Sequence, residues 1–126
     1  MNGIIITGIG AVTPFGAGVD ALWTALLNGD SAISDLDLFD LGGIACTRAG
    51  VIRHCPPTPG LDDAPRATRF AAVAAQEALA HIPPSDRHDI ALITASNFGG
   101  MDIGERALQP EPEACARHCE TRGFFV

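Results

Sequence analysis

The run Ile4-Ile5-Ile6-Thr7, closed off by Gly3 and Gly8, most constrains the fold. It is apolar without alternating, so neither face is left for water. That is the habit of a strand buried on both sides, as in parallel sheets. A second such run, "DIALITA" (89–95), lies far along the chain, and the segments between the two read as helices and short strands. From Val19 onward, Leu22, Trp23, Leu26 and Leu27 recur at helical spacing. Gly18 or Asp20 caps the start, and Asn28-Gly29 supplies a left-handed stop. Residues 35–41 and 44–52 suggest short, partly exposed strands. "PPTPGLDDAP" (56–65) reads as a surface loop. Asp63 and Pro65 announce an alanine-rich helix over 66–81, with Phe70, Val73, Ala74 and Leu79 on its apolar face and Pro83-Pro84 beyond it. After the second strand, "SNFGGMDIGE" (96–105) is a glycine turn entering another helix. The order predicts an α/β layered domain with right-handed crossovers.

Composition narrows what such a domain does. All eight basic residues are arginine and the net charge is −7. An acidic chain without a basic stretch is a poor nucleic-acid binder, since phosphate contacts need clustered cations. No window approaches the roughly 18 consecutive apolar residues of a membrane span. The N-terminus has no signal-peptide pattern, so a cytoplasmic protein is expected. Charged residues make up only 18%, against about 25% in ordinary soluble domains. Either the fold is rich in core or other protein covers much of its surface.

The glycine turns invite three chemical readings. A dinucleotide fingerprint needs G-x-G-x-x-G; Gly8 and Gly10 fit, but the third place holds Thr13, followed by Pro14. A tight turn between strand and helix is the preferred reading. A P-loop is excluded because the chain has no lysine. Ser96 follows a buried strand as a nucleophile would, yet "TASNF" lacks the glycines of a nucleophile elbow. Zinc is disfavoured as well. Cys115, His118 and Cys119, or His54 with Cys55, could be drawn together, but no C-x-x-C pair is present. Free thiols are expected at Cys46, Cys55, Cys115 and Cys119, and no metal or other cofactor.

"ITGIGAVTPFGAGVDALWTALLNGDSAI" (6–33) closely resembles the opening of the β-ketoacyl synthases, the condensing enzymes of fatty-acid and polyketide assembly. "RATRFAAVAAQEAL" (66–79) is similar to their second core helix, "SNFGGMDIGE" to the glycine turn after their third core strand, and "GFFV" (123–126) to a segment preceding their dimer-forming helix. The resemblance implies a thiolase-like fold of two α/β halves, of which residues 1–126 are an incomplete N-terminal portion with helices packed on a mixed sheet. It implies a dimer, with itself or with another ketosynthase-like chain, served by acyl carrier protein. An activated cysteine thiolate takes the acyl group, and histidines or an asparagine support decarboxylation and Claisen attack. None of these positions is matched here, so no catalytic residue is expected in the chain. Phe98 falls where relatives line the acyl pocket; it either shortens that pocket or packs the turn. Arg66 and Arg69 fall near a carrier-docking region; they either dock the carrier protein or are solvated or paired locally.

Three readings follow from the resemblance. The chain is an excerpt or truncated product of a full ketosynthase, one piece of a split ketosynthase, or a non-catalytic subunit resembling those that set chain length. "FFV" at the end of the sequence and the open sheet edges predict an isolated chain that aggregates or is partly disordered.

Overall fold

The computed structural model describes residues 3–97, 99–101 and 103–104. They fall into two compact units, residues 3–57 with Val73–His81, and Thr58–Ala72 with the described residues from Ile82 onward. In the first unit, the glycine-rich opening folds as a hairpin. Strands β1 (Val12–Thr13) and β2 (Gly16–Ala17) pair antiparallel across Pro14-Phe15. Gly18 N–H donates to Ala11 O at 2.8 Å and extends the ladder. Thr13 Oγ1 accepts from Phe15 N–H and donates to Gly16 O, which ties the turn to its own strand. Helix α1 (Val19–Asn28) follows at once. Gly18 stands at its N-cap without a side chain to offer, and Asp20 sits in the first turn. The stop is as expected: Gly29 adopts φ 71°, where a side chain is disfavoured.

Strands β3 (Ile33–Asp35) and β4 (Arg48–Gly50) form a second antiparallel pair. Its place overlaps the expectation of short, partly exposed strands, but the ladder runs earlier and most of 36–41 is irregular. The opposed residues Asp35 and Arg48 pair across it at 3.7 Å, both exposed. Helix α2 (Arg66–Ala78) begins directly after Pro65, as the start signals predict. Phe70, Val73, Ala74, Glu77, Ala78 and Leu79 share its half-buried side. A 3-10 helix, Pro84–Asp89, starts at the second residue of the double proline, where no element was expected.

Three expectations need correction. Residues 4–7 and 89–95 are not strands, and no parallel crossover or mixed sheet occurs among the described residues. A strand is defined by its neighbours, and an apolar run with no partner to bond has no ladder to join. Ile4 is 101% exposed and Ile93 92%. The loop 56–65 is also less superficial than its prolines suggest. Thr58 is 1% exposed and Ala64 5%, which with Ala25 are the buried residues of the described chain. Successive turns, Leu61 N–H to Thr58 O and Ala64 N–H to Leu61 O, wind this loop into the start of α2.

Candidate functional site

Within the first unit, the C-terminal half of α2 organises the opening segment. A Cβ placed on Gly10 would strike the Ala74 carbonyl oxygen and stand 2.7 Å from its carbon. One placed on Gly8 would strike the Ala78 carbonyl and stand 2.7 Å from His81 Cε1. The spacing explains the match. Two residues of extended chain advance about 6.8 Å, and four residues of helix advance about 6 Å, so Gly8 and Gly10 face Ala78 and Ala74 in step. G-x-G is therefore a backbone-contact device against a helix. The sequence reading of these glycines as structural stands, although they touch a helix rather than make the turn itself.

Glu77, on the same side of α2, was missed by that reading. Its Oε1 accepts from Val19 N–H at 2.8 Å and its Oε2 from Ala11 N–H at 2.9 Å. It thus supplies from another element the cap that Gly18 cannot provide. The two N–H groups, Val19 first, hold the carboxyl below its ordinary pKa, against the opposing effect of burial. A single carboxylate on the half-buried side of an alanine-rich helix was the available signal.

The hairpin forms one wall of a cleft of about 540 Å³, whose lining includes Phe15, Thr13, Ser31, Ser34, Arg53 and His54. Its chemistry is modest. Thr13 Oγ1 is engaged in the hairpin turn and Ser31 Oγ accepts from Ile33 N–H. Arg53 Nη2 lies 2.8 Å from Asp37 Oδ1 and, by that hydrogen bond, holds the Asp37 carboxyl below its ordinary pKa. The cleft contains no nucleophile hydrogen-bonded to a base among the described residues.

In the second unit, Arg66 is exposed and its guanidinium lies 5.2 Å from the Phe70 ring centroid, a cation–π arrangement. Arg69 is half-buried, and its enclosed Nε has no hydrogen-bond partner among the described residues. The two arginines share the first turn of one helix but differ in exposure. Phe98 lies outside the described residues, as do Cys115, His118 and Cys119. Ser96 is exposed, directly before a bend at Asn97; its Oγ stands 2.9 Å from where a Cβ on Gly99 would lie, and Gly100 adopts φ 83°. Both glycines are thus explained by the turn. Cys46 and Cys55 are free thiols. No group of three or more His, Cys, Asp or Glu among the described residues could hold a metal ion, and no described helix is long and apolar enough to cross a membrane.

Comparison with known proteins agrees with the N-terminal resemblance. The family described as "Beta-ketoacyl synthase, N-terminal domain" matches residues 1–118. The tetracenomycin polyketide synthase ketoacyl synthase beta subunit of Streptomyces glaucescens is 33% identical over 116 residues, covering 84% of this chain and 28% of the relative. The alpha subunit from the same organism is 40% identical over 81 residues, 60% of this chain and 19% of the relative. The 3-oxoacyl-[acyl-carrier-protein] synthase 2 of a Synechocystis strain is 29% identical over 111 residues, 81% and 27%. The chain spans less than a third of the length of these relatives. No solved structure matches.

Proposed function

Since the chain belongs to the β-ketoacyl synthase family through its N-terminal domain, we propose that residues 1–126 are an incomplete N-terminal domain of a cytoplasmic condensing enzyme of polyketide or fatty-acid synthesis. The reaction is decarboxylative Claisen condensation of an acyl thioester with a malonyl thioester, both carried on acyl carrier protein. The match across residues 1–118 carries this reading. The 126 residues then serve as scaffold: the nucleophilic cysteine and its supporting histidines belong to sequence outside them, and the chain is inactive alone. Arg66 and Arg69 contribute to docking the acidic carrier protein, and Phe98 shortens the acyl pocket. The exposed Arg66 supports the first assignment.

A second reading is a non-catalytic subunit that pairs with a ketosynthase-like chain. The relative named as a beta subunit, aligned over 84% of this chain, favours it. A split ketosynthase is the third. The deciding experiment takes the intact mass of the native product under denaturing conditions, then assays it for condensation with acyl- and malonyl-carrier protein. A product well above 13.1 kDa that condenses on its own supports the first reading. A product at that mass, inert alone, is not an excerpt of a longer native chain; if no second polypeptide joins it, it is a truncated product. Activity gained with a second polypeptide bearing the missing cysteine and histidines then identifies a split enzyme. A stable complex with no gain identifies the non-catalytic subunit.

A further inference from the structure

We propose that Glu77 is an acid-sensitive latch that fixes the hairpin of residues 12–17 on α2 and so positions one wall of the cleft beside it. The geometry carries the proposal. One side chain joins backbone groups that flank the hairpin on either side, Ala11 N–H before β1 and Val19 N–H after β2, at 2.9 and 2.8 Å. Between those anchors lie Thr13, Pro14, Phe15 and Gly16, all in the cleft wall. The hairpin's own ladder is short, with the paired positions Val12–Ala17 and Thr13–Gly16. A two-stranded ribbon of that size does not hold its position unaided.

The carboxylate is suited to the task because it only accepts. Both of its oxygens meet N–H donors, and charge-assisted bonds of this kind are the stronger class. Protonation turns one oxygen into an O–H donor facing an N–H donor, so one of the two bonds is lost. The surroundings leave Glu77 as the group that titrates there. Residues 3–19 contain no ionisable side chain. On α1 the first is Asp20, next to Val19; on α2 it is Arg69, two turns before Glu77; and in the turn after α2 it is His81, beside Gly8. None of these contributes to the depression of the Glu77 pKa, which arises from the Val19 and Ala11 N–H groups. The sign follows: the latch is closed above the ordinary glutamate value of 4.5 and opens as pH falls through the lower folded value.

The test uses the ¹⁵N-labelled 126-residue chain, with the Ala11 and Val19 amide signals followed from neutral pH to about pH 3. Both signals should move together, with one midpoint below 4.5. Asp20→Asn and His81→Gln should retain that joint titration. Glu77→Gln, which keeps one acceptor and turns an NH₂ toward the other donor, should abolish it and speed hydrogen exchange at the two amides by about tenfold at neutral pH. Separate midpoints for the two amides, no movement across the range, or an unchanged titration in Glu77→Gln would each overturn the latch. If Glu77→Gln does not fold, the wild-type titration with the Asp20 and His81 variants decides the matter.

Discussion

Two glycines in this chain do different work, and substitution separates them. Gly10 is glycine because the Ala74 carbonyl occupies the space of a Cβ, whereas Gly29 has nothing within 4 Å and is glycine because its φ is 71°. Gly10→Ala forces α2 and the opening segment apart, at a cost of about 1–3 kcal/mol. Gly29→Ala strains only its own backbone, at roughly 1 kcal/mol. The discriminating variant is asparagine, which tolerates the left-handed region. Gly29→Asn should recover most of the urea-midpoint loss of Gly29→Ala, while Gly10→Asn should be worse than Gly10→Ala. Equal behaviour at the two sites would remove the distinction between contact and conformation. At Glu77 the same reasoning concerns charge: raising pH from about 3 through 4.5 should stabilise the first unit, with no further gain from this group above it, and Glu77→Gln should flatten that rise in a pH series of urea midpoints.

At the scale of elements, α2 has two functions along its length. Its C-terminal half holds the hairpin through Ala74, Glu77 and Ala78, and its first turn presents Arg66 stacked on Phe70. If that turn docks a carrier protein, Arg66→Glu in the condensing enzyme should raise KM for the carrier-bound substrate several-fold, with the effect shrinking at high salt. Arg69→Glu should raise that KM as well and in addition lower stability, because Arg69 is half-buried with an enclosed Nε. A change in kcat without a change in KM would argue against docking. The helices were legible in the sequence because a helix closes its own hydrogen bonds: Pro65 and Gly29 mark their ends, and the spacing of Phe70, Val73 and Ala74 marks the half-buried face of α2. The apolar runs at 4–7 and 89–95 were legible only as a demand for burial. Whether such a run becomes a strand depends on distant partners, and none of the described residues pairs with either run. The candidate site divides in the same way. Arg66 could be found from local context, but Glu77 bonds to residues 58 and 66 positions away, which no local pattern reports.

For the molecule as a whole, the low charge fraction and the exposed apolar residues are one fact. Within the first unit, α1 turns its small residues towards the hairpin, with Ala25 buried and Ala21 Cβ near Gly16, and leaves Trp23, Leu26 and Leu27 outward. Large apolar side chains left in water are costly, since burying each one fully is worth roughly 1.5–3 kcal/mol. Such a surface favours any apolar cover offered to it. Trp23 reports on this directly, being the single tryptophan of the chain and 59% exposed. In the isolated chain its emission should resemble indole in water, acrylamide should quench it readily, and a hydrophobic dye should brighten on the apolar surface. Addition of a ketosynthase-like chain that pairs with this one should shift the emission to the blue, protect it from the quencher and displace the dye, if cover reaches α1. Pairing without change at Trp23 would place the interface on another surface. An isolated chain whose tryptophan is already protected would mean that α1 finds its cover within a single copy or by self-association, and a concentration series would separate those two cases because only the second depends on protein concentration.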